Sequence, residues 1–216
     1  AGEVVHLDAS GSFEGTFTIP SGVSVDGHQA TITATGSAAL ILEEVSGEAF
    51  VRSVELESDM GGIVAYEGES PGHLTLEDVS VVVRRGFGIA TENLDVTVQN
   101  VDVRGPITGS DDPILDQLGE SIDGSEHAIL GFVAAFGNVD LRDLNVSGFG
   151  GFGAILYGVE GSWTGGEVSD CVGVSVLAEK STLDIESVVV RDGLAGRKIG
   201  FAMLSMGLIA ADQSVV

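Results

Sequence analysis

The chain has 216 residues, with 33 acidic side chains against nine Lys plus Arg and a formal net charge of -24. Its 32 glycines have no three-residue period, which excludes collagen, and the 44% hydrophobic content excludes ordinary disorder. So acidic a surface offers no basic face for phosphate, which argues against nucleic acid as a partner.

The length predicts one domain, residues 1–216. The longest apolar run, residues 199–211, is too short to cross a bilayer. The single cysteine, Cys171, cannot form an internal disulfide and reads as a small buried hydrophobe. No secretory leader is visible at Ala1, which fits either a cytosolic chain or a mature one already trimmed. Lysine occurs only at Lys180 and Lys198. An acidic, lysine-poor surface suits salty or calcium-containing surroundings, and a plain solvated surface explains it as well.

A phrase of apolar, any, apolar, any, polar, apolar, any, apolar recurs along the chain. It begins at Ala49 (Ala49-Phe50-Val51-Arg52-Ser53-Val54-Glu55-Leu56) and returns from Leu74 to Val81 and from Val96 to Val103. Further copies start at Val139 and Leu183, with a degraded one from Trp163. The starts at 49, 74, 96, 139, 163 and 183 give steps of 25, 22, 43, 24 and 20. The step of 43 equals two ordinary steps, or one step plus an insertion.

A period near 22 holding two short alternating runs is too short for a helix-pair repeat. Each run reads as a strand with one face inward, and the polar position between runs marks a turn. The expectation is an all-β parallel β-helix, or solenoid, with coils of about 20–25 residues stacked about 4.8 Å apart. Val79, Val101, Leu144, Val168 and Val188 would then form one interior stack, and Val81, Val103, Val146 and Val190 another, interrupted at Asp170. Asp78, Asn100, Asp143, Glu167 and Ser187 would line the turn, where stacked polar groups can bond to neighbouring coils. A β-sandwich also consists of short strands, but it does not require one phrase to return at a coil-length period.

These repeats, with the opening segment Ile19-Pro20-Ser21-Gly22-Val23-Ser24-Val25-Asp26-Gly27, resemble the right-handed parallel β-helix proteins of the pectin-lyase-like group. The resemblance covers most of the chain and singles out no family within the group. It implies a right-handed coil, an extracellular or cell-surface location and contact with polysaccharide or a cell-surface glycan.

Two segments depart from the pattern. Residues 105–127 break the period and carry Asp111, Asp112, Asp116, Glu120, Asp123 and Glu126 with no Lys or Arg between them. Insertions in solenoids often build the binding face. Asp111, Asp112, Asp116 and Asp123 are candidate Ca²⁺ ligands, although the spacing matches no calcium loop and a solvated acidic loop is the plainer reading. The stretch Gly148-Phe149-Gly150-Gly151-Phe152-Gly153 reads as a tight corner with packed phenylalanines, or as an aromatic lip for sugar rings. Phe149, Phe152, Tyr157 and Trp163 are therefore the candidate carbohydrate contacts, each with a core role as the alternative. Asn145-Val146-Ser147 matches a glycosylation acceptor but falls inside an expected strand.

Enzymes of the pectin-lyase-like group imply particular residues. Pectate lyases use a calcium cluster with an Arg base; polygalacturonases use an Asn-any-Asp, an Asp-Asp, a Gly-His-Gly and an Arg-any-Lys element. Here Asp111-Asp112 is the only Asp-Asp pair, no Gly-His-Gly occurs, and Arg197-Lys198 has the wrong spacing. The sequence offers no assembled acid–base pair. The expectation is a non-catalytic extracellular β-helix, structural or adhesive, contacting carbohydrate. The first alternative is a polysaccharide lyase or glycoside hydrolase using Asp111 and Asp112. The second is a subunit that self-associates through exposed ends, since the apolar tail near Val216 reads as a further coil, a cap closing over the interior, a fragment boundary or a docking end.

Overall fold

A computed structural model describes residues 2–108, 128–191 and 206–211 of the chain. Among the described residues fourteen strands follow in order: β1 (Glu3–His6), β2 (Ser12–Glu14), β3 (Phe17–Ile19), β4 (Val23–Ala34), β5 (Ala38–Ser58), β6 (Gly61–Val83), β7 (Gly86–Glu92) and β8 (Asp95–Arg104). After these come β9 (Ala128–Ser147), β10 (Phe152–Ser169), β11 (Val174–Glu179), β12 (Thr182–Glu186), β13 (Val189–Val190) and β14 (Met206–Ala211). Every pairing between them is parallel. The architecture is an all-β solenoid of about eight turns. Among the described residues no helix is long and apolar enough to cross a membrane.

Each full coil has three sides, and longer strands such as β6 run round more than one of them. Side one is marked by the column Leu40, Ile63, Ile89, Phe132, Ala154, Val176 and Leu208. Side two carries Val51, Leu76, Val98, Leu141, Trp163 and Ile185. Side three carries Leu56, Val81, Val103, Val146, Val168 and Val190. From Leu56 to Val168 the last column is buried at every level, so like side chains close one continuous interior.

The corner between sides two and three is made in left-handed backbone. Ser53, Asp78, Asn100, Asp143, Gly165 and Ser187 all have φ between 50° and 70°. Asn and Asp tolerate that conformation because their short polar groups bond locally. The corner between sides one and two repeats the device at Asn93, Phe136, Gly158 and Lys180.

Pairing of Val96 with Val139 settles the long step as one coil plus an insertion. Residues 105–127 leave between sides three and one, and most of them lie outside the described residues. The degraded repeat is placed differently from expectation: Val139 pairs with Gly161, and Leu141 with Trp163. Its copy therefore begins at Gly161 (Gly161-Ser162-Trp163-Thr164-Gly165-Gly166-Glu167-Val168), with glycine at three of the pattern's defining positions. Val168 accordingly stacks on Val146 rather than Leu144, Gly165 replaces Glu167 as the corner residue, and Asp170 interrupts nothing. Nor do residues 19–27 open the stack, because β1 and β2 pair with β4 and form part of an earlier coil.

A column of glycines faces the valine stack. A Cβ on Gly62, Gly88, Gly131 or Gly153 would come within 2.4 Å of Cγ1 of Val81, Val103, Val146 or Val168 respectively. It would also come within 2.5 Å of a carbonyl oxygen on the next coil, that of Gly88, Gly131, Gly153 or Ser175. Missing side chains on side one therefore make room for the valines of side three at four successive levels.

Candidate functional site

Two groups of side chains on the solenoid surface carry chemistry. The first lies where the earliest coils meet. His6 is the register partner of Asp26, and Asp26 that of Arg52. Between Asp26 and Ala30 the pairing with β5 slips, so Gly27, His28 and Gln29 bulge opposite Ser53. His28 and Gln29 take φ of 46° and 66°, and a Cβ at Gly27 would lie 2.6 Å from the Ser53 oxygen. This bulge folds the His28 imidazole back over Asp26.

The resulting geometry is close. His6 Nδ1 and His28 Nε2 are 3.2 Å apart, and the rings stack with centroids 5.4 Å apart. Asp26 Oδ2 lies 3.7 Å from His6 Nδ1, and Oδ1 lies 3.7 Å from His28 Nδ1. Arg52 donates through Nε and Nη2 to Asp26 Oδ2, at 3.0 and 2.5 Å. Its guanidinium also lies over the Phe50 ring, 4.9 Å from the centroid. Asp26 is buried, with 4% of its surface exposed, while both imidazoles reach solvent. The Arg52 hydrogen bond holds the Asp26 carboxyl below the usual carboxylate range, overcoming burial, which acts the other way. One atom from each of His6, Asp26 and His28 lies within 4.8 Å of the others, the only such His, Cys, Asp or Glu trio among the described residues.

The second group is an aromatic ledge at the corner between sides one and two. Phe136 is 45% exposed and meets Tyr157 edge-on, with centroids 5.2 Å apart and planes at 89°. A Cβ at Gly158 would fall 2.9 Å from the Phe136 ring, so glycine there lets the ring lie against the corner. Lys180 on the next coil donates to the Tyr157 hydroxyl at 2.9 Å and sits over its ring. A groove of about 240 Å³ runs beside Phe136, lined also by Glu67, Pro71, Asn93 and Asp95. Larger hollows beside Ser53, Glu55 and Asp78, and beside Glu57, Asp59 and Arg84, have no aromatic wall.

Of the aromatic candidates, Tyr157 belongs to this ledge and Phe152 is half-buried. Trp163 and Phe149 are completely buried and present no ring face to a sugar. Trp163 is a core side chain of side two, its Nε1 donating to the Gly165 carbonyl at 3.0 Å. Phe149 packs at the corner that Gly105 and Gly131 leave open. Asp111, Asp112, Asp116 and Asp123 lie outside the described residues. Sequence reasoning missed Phe136, which stands where the corner pattern elsewhere has Asn93, Gly158 and Lys180; an aromatic at a turn position was the available signal. His6 and His28 carry no sequence signal of their meeting, because 22 residues separate them and only coil stacking brings them together.

A scan against protein-family models, a search of curated proteins and a search of solved structures each return no match.

Proposed function

We propose that the chain is a non-catalytic, extracellular or cell-surface β-solenoid, a stiff module that contacts carbohydrate through the ledge at Phe136 and Tyr157. The observation that carries this reading is the open Phe136 ring beside a groove containing Asn93, Asp95 and Glu67. Aromatic faces suit the apolar faces of sugars, and amide and carboxylate groups accept or donate to their hydroxyls. With a net charge of -24, neutral glycans are favoured over polyuronates, which the field repels. The resemblance of the sequence repeats to the pectin-lyase-like group also implies contact with polysaccharide.

Affinity electrophoresis and titration calorimetry on a panel of neutral and uronic-acid polysaccharides test the proposal. Binding of a neutral glycan, weakened about three- to tenfold by Phe136→Ala, is the expected result. Binding that ignores Phe136→Ala and Tyr157→Ala would remove the ledge from the account. Turnover of any polysaccharide, lost in Asp111→Ala or Asp112→Ala, would replace it with the lyase or hydrolase reading.

A further inference from the structure

We infer that His6, Asp26 and His28 form a binding site for a divalent transition-metal ion, Zn²⁺ foremost, that fastens the first strand to the coil above it. The site is independent of the carbohydrate ledge and lies on a different corner of the solenoid.

The donor set determines the class of ion. Two imidazole nitrogens and one carboxylate oxygen suit Zn²⁺ and its neighbours, whereas Ca²⁺ takes six to eight oxygens. Zinc–nitrogen and zinc–oxygen bonds are about 2.0–2.2 Å, so ligand atoms in a tetrahedron lie about 3.3 Å apart. His6 Nδ1 to His28 Nε2 is 3.2 Å, and His6 Nδ1 to Asp26 Oδ2 is 3.7 Å. These separations are near the tetrahedral edge before any side chain moves. Two ring nitrogens at that distance need either a proton between them or a shared cation, and the tautomer that protonates the far nitrogen of each ring leaves both lone pairs facing inward.

The carboxylate is also prepared. Metal ligands are held in place by outer hydrogen bonds: Arg52 grips Asp26 Oδ2, the oxygen that faces His6 Nδ1, with two donors, while Oδ1 lies 3.7 Å from Nδ1 of His28, the ring nitrogen that does not face His6. The guanidinium is itself fixed against Phe50. The bulge at residues 27–29, with Gly27 required by the close Ser53 carbonyl, delivers the second imidazole. Three protein ligands leave a fourth position for water.

The placement gives the ion a purpose. Three of the four residues of strand β1 are exposed, and among the described residues the strand pairs with residues 23–26 alone. A metal bridging His6 at its end to Asp26 and His28 would add a cross-link between these two coils beyond their four-residue pairing.

Titration of the full chain with Zn²⁺, and with Co²⁺ for its visible absorption, tests this inference. The expected result is one ion per chain, visible Co²⁺ bands of a nitrogen- and oxygen-ligated site, and slowed amide exchange at residues 3–7. His28→Gln and His6→Gln each weaken binding at least tenfold, and Ca²⁺ in excess does not compete. Both substitutions lie on exposed side chains, so unchanged thermal unfolding without metal verifies that the variants fold. No stoichiometric binding, equal binding by the His6→Gln/His28→Gln double variant, or displacement of Zn²⁺ by Ca²⁺ would each overturn the proposal. The last two would assign the ion to surface carboxylates.

Discussion

Asn100 stands directly over Asp78 at the corner between sides two and three, one coil above it. Both residues have φ of 53°, and Asn100 Nδ2 donates to Asp78 Oδ1 at 2.6 Å. The same corner passes through Ser53, Asp143, Gly165 and Ser187. Polar residues hold it because they tolerate the left-handed region and can bond to the coil above or below. Asn100→Val places a β-branched residue in that region and is expected to destabilise the fold by about 1–2 kcal/mol. Asn100→Gly loses the exposed hydrogen bond but relieves the backbone, and is expected to stay within about 1 kcal/mol of the parent. Urea unfolding of the two variants side by side measures the difference; equal loss in both would mean that the hydrogen bond matters and the backbone does not.

The glycine column makes a harsher prediction. Gly131 has no unusual φ, so Gly131→Ala changes only occupied space. Its Cβ would lie 2.3 Å from both the Gly153 carbonyl oxygen and Val146 Cγ1. The carbonyl belongs to a paired strand and cannot retreat without moving the next coil. Overpacking of this kind costs about 1–3 kcal/mol. A second substitution, Val146→Ala, should recover part of the loss by clearing one of the two contacts. Recovery is read from chemical denaturation of the double variant, and strict additivity would show that the carbonyl contact alone sets the penalty.

Trp163 is the single tryptophan and is wholly buried. Its emission should be blue-shifted in the native protein, move to longer wavelength on unfolding, and stay unchanged when a glycan binds. Trp163→Ala removes a large core side chain at a level where Gly161 already leaves the adjoining inward position empty. The expected loss is about 3–5 kcal/mol. Glycan-induced quenching of Trp163 would contradict its placement.

Cys171 supplies a pH dependence. Burial pushes its thiol up to about 11, above an ordinary value of about 8.5. The folded state thus keeps a proton that the unfolded chain releases first. This contribution is complete below about pH 8.5 and fades as pH rises toward about 11. The alkaline decline in stability should be shallower in Cys171→Ala than in the parent. Aromatic disulfide reagents at pH 8 should label the native thiol only at the rate of unfolding, and rapid labelling would show that it is accessible.

Much of the fold was legible because a solenoid writes its period into the chain. Val54, Val79 and Val101 announce one another at coil-length steps, since each must cover the apolar surface of its neighbour. Legibility failed where glycine replaced the informative side chain. The copy at Gly161 was displaced by two residues because Gly161, Gly165 and Gly166 carry no hydropathy signal, and Trp163 was left to set the phase. The glycine column escaped notice for a related reason: its role is to be absent from a space that valines on another side occupy.

The sequence by itself determined the parallel stacked coils, the inward alternation and the polar corners, because these follow from local patterns that repeat. Only the tertiary structure decided which surface groups meet. His6 and His28 are a coil apart, and their ring nitrogens come within 3.2 Å because stacking and a three-residue bulge bring them there. Phe136 and Tyr157 touch for the same reason, one coil apart at a shared corner. Burial is enforced at every level and leaves a periodic trace, whereas a surface constellation is assembled once, from residues whose spacing gives no periodic sign of it.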